Sequence, residues 1–346
     1  MRLKILYYII PLAILLVSSC ETEMHVKEGL RDPKIVVNGF VSPDSLIKVR
    51  LTESRFFLDN GNDFKICDDA DVFLSINGSR IEKLQYKGNG NYLSSVYPMV
   101  GDEIQLEVES DRYNNVLAST YIPAIVPIKD LSSEISDIYA YSCILSEIKY
   151  IHYSDDDNYM VGYNLLGGGN IKISFSDPAE ENYYLINCFV RYYYEGGAYI
   201  DNYARIHSSD QVYLKDTNRD EETYAASYNE FNDKLFNGKD YSLYFDLDFY
   251  HIVVYDKYWE MVHDPEGNFY RQNYVKESYL SSELIIELRS ISKDLYNYAS
   301  TITYKSITDD FFSEPVQIYN NVKGGYGIVA GYSSSEWRIP FVTNTP

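Results

Sequence analysis

Apolar and polar residues alternate with a period of two through most of the first third of the chain. KIVVNGFV (34–41), IKVRLTESR (47–55), DADVFLSINGSR (69–80) and DEIQLEVES (102–110) each place aliphatic side chains on one face, as half-buried strands require. SPDS, DNGND, NGS and KGNGN fall between them and supply turn residues. Short strands with no helical period among them predict a β-sandwich over residues 33–125. YIPAIVPI (121–128), with two prolines, marks its end.

The second block, 126–346, is also read as mostly strand, through NIKISFSDP, YYLINCFVRYYY, KDYSLYFDLDFY and SELIIELRSIS. One stretch breaks the pattern. In residues 291–305, Ile291, Leu295, Tyr298, Ala299 and Ile302 form a stripe at helical spacing. Ser290 or Ser292 is positioned to cap that helix. The expectation is a mainly β protein of two sandwich domains, the second carrying one packed helix.

The N-terminus follows a different rule. Arg2 and Lys4 precede an almost purely apolar run from Ile5 to Val17, the plan of a secretory signal. Thirteen helical residues reach roughly 20 Å, short of the ~30 Å hydrocarbon core, so removal is favoured over a membrane span. Val17, Ser18, Ser19 and Cys20 resemble a bacterial lipobox, in which the cysteine thiol takes up diacylglycerol and its freed amine is acylated. Several acyl chains on Cys20, at ~0.8 kcal/mol per buried CH₂, would hold the protein at a membrane. The competing reading is an ordinary signal peptide with a chance cysteine. Residues 1–19 are thus expected to be the signal peptide and 20–32 a lipidated tether.

Charge narrows the partners. The chain has 30 Lys+Arg and 51 Asp+Glu, a formal charge of −21. Loss of Arg2 and Lys4 with the signal would make it −23. Nucleic acid and anionic lipid head groups are disfavoured by such a balance. Cys67, Cys143 and Cys188 allow at most one disulfide and show no metal-ligand spacing. Cys188 alternates with apolar residues in YYLINCFVRYYY and reads as a buried free thiol.

The chain as a whole resembles a family of uncharacterised outer-membrane lipoproteins of Bacteroidota, built around a domain of unknown function. Besides Cys20 and its acidic follow-on, the resemblance rests on KIVVNGFV, DADVFLSI with GNYLSS and GDEIQLEVE, YIPAIVPI, FSDPAEENYYLI, NGKDYSLYF and SEPVQIYNNVKGGYGIVAGYSSS. It implies a lipid-anchored protein beside a TonB-dependent outer-membrane transporter. The first block also resembles transthyretin-like modules, within the wider immunoglobulin-like sandwich class. Glu21 and Glu23 resemble acidic signals for surface export, which favours the cell surface over the periplasmic face.

No GxSxG, HExxH or P-loop occurs in the sequence. Gly325, Gly327 and Ala330 fit G-x-G-x-x-A, but the 16 residues that follow are too few for a dinucleotide fold, and a closing turn and strand is expected instead. Asp216, Asn218 and Asp220 match half a calcium loop, yet Glu221 takes its glycine position. Asp155, Asp156 and Asp157 read as a solvated run. No catalytic residue, cofactor or metal is therefore expected. Aromatic runs are the remaining candidate: Tyr193, Tyr199, Tyr255, Tyr258 and Trp259 suit a surface that stacks on sugars or grips a protein. The expected function is a non-catalytic accessory of a TonB-dependent nutrient transporter, with a surface glycan-binding or adhesive module second and an envelope hydrolase third.

Overall fold

The computed structural model describes residues 33–55, 64–143, 161–193, 196–208, 210–214, 229–263, 269–276, 281–308 and 317–341. Eight strands come first: β1 (Ile35–Val41), β2 (Lys48–Glu53), β3 (Asp71–Ile76), β4 (Ser79–Lys83), β5 (Gln85–Tyr86), β6 (Asn91–Leu93), β7 (Glu103–Glu109) and β8 (Val116–Tyr121). Then follow β9 (Ile128–Cys143), β10 (Val161–Ser176), β11 (Tyr183–Tyr193), β12 (Tyr199–Tyr203), β13 (Arg205–His207) and the short helix α1 (Gln211–Leu214). The chain closes through β14 (Glu230–Asn232), β15 (Asp240–His263), β16 (Phe269–Lys276), β17 (Ser281–Ile291), helix α2 (Lys293–Thr308), β18 (Val322–Lys323) and β19 (Tyr326–Phe341). The protein is mainly β and sandwich-like, as its alternation predicts.

One sheet runs through both blocks in the order β12-β11-β17-β19-β1-β2-β6-β5, with β14 added beside β11. Over the β1, β2 and β6 end lies the sheet β18-β8-β7-β3-β4, and over the β11 and β17 end lies β13-β15-β10-β9, with β16 pairing β15. The alternating faces fill the two gaps. Val37, Val49, Leu51, Leu74, Ile104 and Leu106 belong to the first core, and Ile173, Phe175, Ile186, Cys188, Phe245 and Ile286 to the second. Each of these residues is almost fully inaccessible to solvent. At ~25 cal/mol per Å² of apolar surface, such burial is the main force holding the layers together.

Local chemistry fixes the registers. β3 and β4 are joined by Asn77 and Gly78, whose φ angles of 51° and 77° suit the two-residue turn that NGS predicts. Asn77 Nδ2 donates to Asp102 Oδ1 at 2.8 Å, and Asn77 Oδ1 accepts from the Glu103 N–H at 2.9 Å, tying the turn to β7. Tyr92 of the GNY sequence is 2% exposed, and its hydroxyl donates to the Cys67 carbonyl at 3.1 Å. In the second block, Asp177 accepts the Tyr184 hydroxyl and the Gly238 N–H, while Asp233 accepts the Asn182 N–H at 2.8 Å. FSDPAEEN and FNDKLFNG are therefore two loops bonded to one another.

The boundary expected at residue 125 does not divide the chain into independent pieces, because Lys34–Pro346 forms one compact unit. Residues from the far end complete the first block. β18 pairs with β8, β19 pairs in parallel with β1, and Val322 and Val329 are buried in the first core. β19 then continues, antiparallel, along β17 from Tyr332 to Phe341. The first core thus draws on residues beyond 33–125. The residue 121–128 junction is still a real crossing point: Ile122 enters the first core and Val126 and Ile128 enter the second.

Helix α2 packs on the outer face of the shared sheet, where Leu295 meets Tyr183, Leu185, Ile291, Ile328 and Ala330. It starts two residues later than the expected 291, and Ser292 is the cap: Ser292 Oγ accepts the Leu295 N–H at 3.3 Å. Among the described residues, Phe40 on β1 and Tyr199 and Tyr203 on β12 are exposed on the two sides of the helix.

Candidate functional site

One of these sides is formed by β12, β11, β17 and β19. Along β11, Val190 and Tyr192 point into the core, so Arg191 and Tyr193 point outward. β12 returns antiparallel and sets Tyr199 opposite Tyr193, Asp201 opposite Arg191 and Tyr203 opposite Phe189. Arg191 grips Asp201 with two bonds, Nε to Oδ1 at 2.6 Å and Nη2 to Oδ2 at 2.8 Å, the forked geometry that makes arginine–carboxylate pairs directional. The same guanidinium lies 4.2 Å from the centre of the Tyr199 ring.

The pairing continues onto the neighbouring strands. Tyr193 donates to Glu283 Oε2 at 2.7 Å, and Arg338 contacts Glu283 at 3.4 Å and Glu336 at 2.7 Å. Further along, Arg289 lies 2.9 Å from Glu287, which also accepts from Asn187 Nδ2 at 3.0 Å. The bond to Glu283, with burial adding, holds the Tyr193 phenol above its usual range, so it stays a neutral donor. Tyr199, over Arg191, and Tyr203, with its ring centre 5.3 Å from that of Phe189, remain 55% and 61% exposed. The result is a floor of paired charges carrying two exposed aromatic rings.

Of the expected site residues, the structure brings Tyr193 and Tyr199 together as a cross-strand pair. Tyr255, Tyr258 and Trp259 lie elsewhere, on the distal half of β15, across from Val161, Tyr274 and Asn273. β15 belongs to the sheet on the other side of the core. Their side chains, like Cys20, Asp155–Asp157 and Asp216–Asp220, lie outside the described residues. Cys67 and Cys188 are buried free thiols, and burial pushes the Cys67 thiol up to about 11. Among the described residues no three His, Cys, Asp or Glu side chains converge to hold a metal. Sequence reasoning passed over Arg191, Asp201, Glu283 and Arg338. The alternation of Arg191 with Tyr193, and of Tyr199 with Asp201 and Tyr203, around Gly196-Gly197 carries the hairpin that assembles them.

A family model described as a domain of unknown function, DUF4249, matches residues 21–338. The chain belongs to the DUF4249 family. The matched DUF4249 span covers both sandwiches and ends within β19, the strand that closes them. No curated protein matches the chain.

Proposed function

We propose that this DUF4249 protein is an outer-membrane-anchored lipoprotein of a member of the Bacteroidota, working by binding as a non-catalytic accessory of a TonB-dependent nutrient transporter. The observation that supports this reading is the ready-made contact face of β12, β11, β17 and β19. Tyr199 and Tyr203 offer large contact area at low rotamer cost, and the ion pairs beneath them are already ordered, so little freedom is lost on docking. Acyl chains on Cys20 would confine the protein to two dimensions, where weak contacts suffice. The acidic residues after Cys20 favour the cell surface. The aromatic residues of distal β15 are a second contact region in the same reading.

Affinity purification from gently solubilised outer membranes of the native host tests it. The wild-type protein should bring down a TonB-dependent transporter, and a Tyr199→Ala/Tyr203→Ala double variant should lose it while remaining membrane-bound and cooperatively folded. Equal recovery by both forms removes the face from the contact. Recovery of the wild-type protein alone in several mild detergents, with polysaccharide binding lost in the same double variant, replaces the transporter reading with a surface glycan-binding one.

A further inference from the structure

On the other side of helix α2, the shared sheet carries a groove of about 660 Å³ floored by β1, β2 and β6. Its floor is laid out in cross-strand rows. Asn38 is opposite Arg50, which is opposite Asn91; beside that row Lys48 is opposite Leu93, with Phe40 on the same face of β1. Phe40 is 46% exposed, with its ring centre 6.5 Å from that of Tyr298 on α2, and Tyr97 at the rim is 63% exposed. Asp44 is the one carboxylate lining the groove.

Two cations without an ion-pair partner among the described residues stand side by side here, on one face of β2. Arg80, Arg112, Arg191, Arg289 and Arg338 are each held by a carboxylate. Lys48 and Arg50 are exposed and, among the described residues, no carboxylate lies within ion-pair distance of either. Against the single carboxylate of Asp44, these two cations give the groove a local positive excess on a chain of net charge −21. Such a spot attracts a short anion, whereas a long polyanion would extend over the surrounding carboxylates. Arginine also presents the fork that fits a carboxylate with two parallel bonds.

The other lining groups define what carries the anion. Phe40 and Tyr97 offer exposed aromatic surface to a partly apolar ring, and the Asn38 amide, the Asn91 Oδ1 and Asp44 offer polar groups, the Asn91 Nδ2 being already engaged with the Gly88 and Asn89 carbonyls. That mixture suits a hydroxyl-rich ring. β2 is hydrogen-bonded to β1 on one side and β6 on the other, so the floor has no free strand edge to which a peptide could add itself. The volume falls within the ~300–1,000 Å³ common to small-molecule sites, with room for a short oligosaccharide.

We propose that the groove of Asn38, Phe40, Lys48, Arg50 and Tyr97 binds a short carboxylate-bearing oligosaccharide of the uronate class, its carboxylate on Arg50 and Lys48 and a ring against Phe40. This site is separate from the β12-β11-β17-β19 face and does not depend on a transporter partner.

Calorimetric titration of the purified full-length protein in detergent with trigalacturonate tests it. Binding should be detected, should weaken as salt rises, and should fall by about tenfold or more in Arg50→Gln and in Phe40→Ala. Both side chains are exposed, so both variants should melt with the wild-type protein, and Tyr199→Ala should bind trigalacturonate normally. Absence of binding, or affinity unchanged in both groove variants, overturns the proposal. Maltotriose binding as tightly as trigalacturonate overturns the role of the carboxylate, and triglutamate binding as tightly overturns the sugar.

Discussion

Ser292 and Gly331 bond each other in both directions. The Ser292 N–H donates to the Gly331 carbonyl at 2.9 Å, and the Gly331 N–H reaches Ser292 Oγ at 3.3 Å while also bonding Thr120 Oγ1 at 2.9 Å. The same hydroxyl caps α2, so the helix, β19 and the end of β8 meet at one fully buried serine. A Cβ on Gly331 would lie 2.0 Å from the Tyr121 carbonyl oxygen, backbone that cannot yield as a side-chain tip does. Gly331→Ala should therefore cost about 2–4 kcal/mol. Ser292→Ala, which loses the cap but adds no clash, should cost about 1–2 kcal/mol. Urea unfolding of the two variants gives the comparison, and equal costs would remove the clash from the account.

Glu53 makes stability depend on pH. Burial opposes its ionisation, but the Tyr113 hydroxyl at 2.6 Å and the Lys65 ammonium at 2.9 Å more than offset this, and its carboxyl is held below the ordinary 4.5. The unfolded chain thus binds the proton more tightly than the folded one, so the contribution is complete above pH 4.5 and disappears as pH falls through the depressed value. Glu53→Gln should destabilise by about 1–3 kcal/mol at neutral pH. The gap between wild type and variant should close on acidification in melts followed from pH 7 to pH 3. A gap independent of pH would show that shape, not charge, is what the variant removes.

Four of the eight strands of the first block, β1, β2, β3 and β7, were legible because each has one wetter face, whereas β4 and β5, with no buried face, gave no such signal. β1 and β7 show strict alternation of buried and exposed positions, as their sequences do. Helix α2 was legible from its stripe and its serine. The parallel pairing of β1 with β19 was not, since it joins Val36 to Tyr326 and no local pattern encodes a contact at such separation. A trace of it is present in the glycines: a Cβ on Gly325 would meet the Ile35 carbonyl at 2.4 Å, and one on Gly327, where φ is 113°, would meet that of Val37 at 2.1 Å. The G-x-G-x-x-A match is thus the mark of a strand laid tightly against β1, in keeping with the turn and strand expected there. The cation pair of the groove was present in IKVRLTESR, where Lys48 and Arg50 alternate with core residues. What the sequence could not indicate is that neither has a carboxylate beside it.

Cys67 and Cys188 should resist alkylation in the native protein. Both are about 1% exposed, and burial pushes both thiols above their ordinary range, leaving little thiolate to react. Iodoacetamide labelling followed by mass spectrometry should find both unmodified until denaturant is added. Rapid native labelling of either would indicate that its core opens readily.

Cys20→Ala should give a folded protein that takes up no lipid and stays unanchored or unprocessed. Metabolic incorporation of a fatty-acid analogue is the measurement, and label retained on the variant would exclude the lipobox assignment.

A ribosome delivers β1 long before β19. Until β19 emerges, β1 lacks one neighbour, β17 lacks another, and the wall common to the two sandwiches is broken between them. A nascent chain can collapse but cannot finish, whatever its first two hundred residues have done. The last strand works as a proof of completeness: a prematurely ended product displays two open strand edges at once, and so presents itself for pairing with other chains or for degradation rather than passing as a smaller working protein.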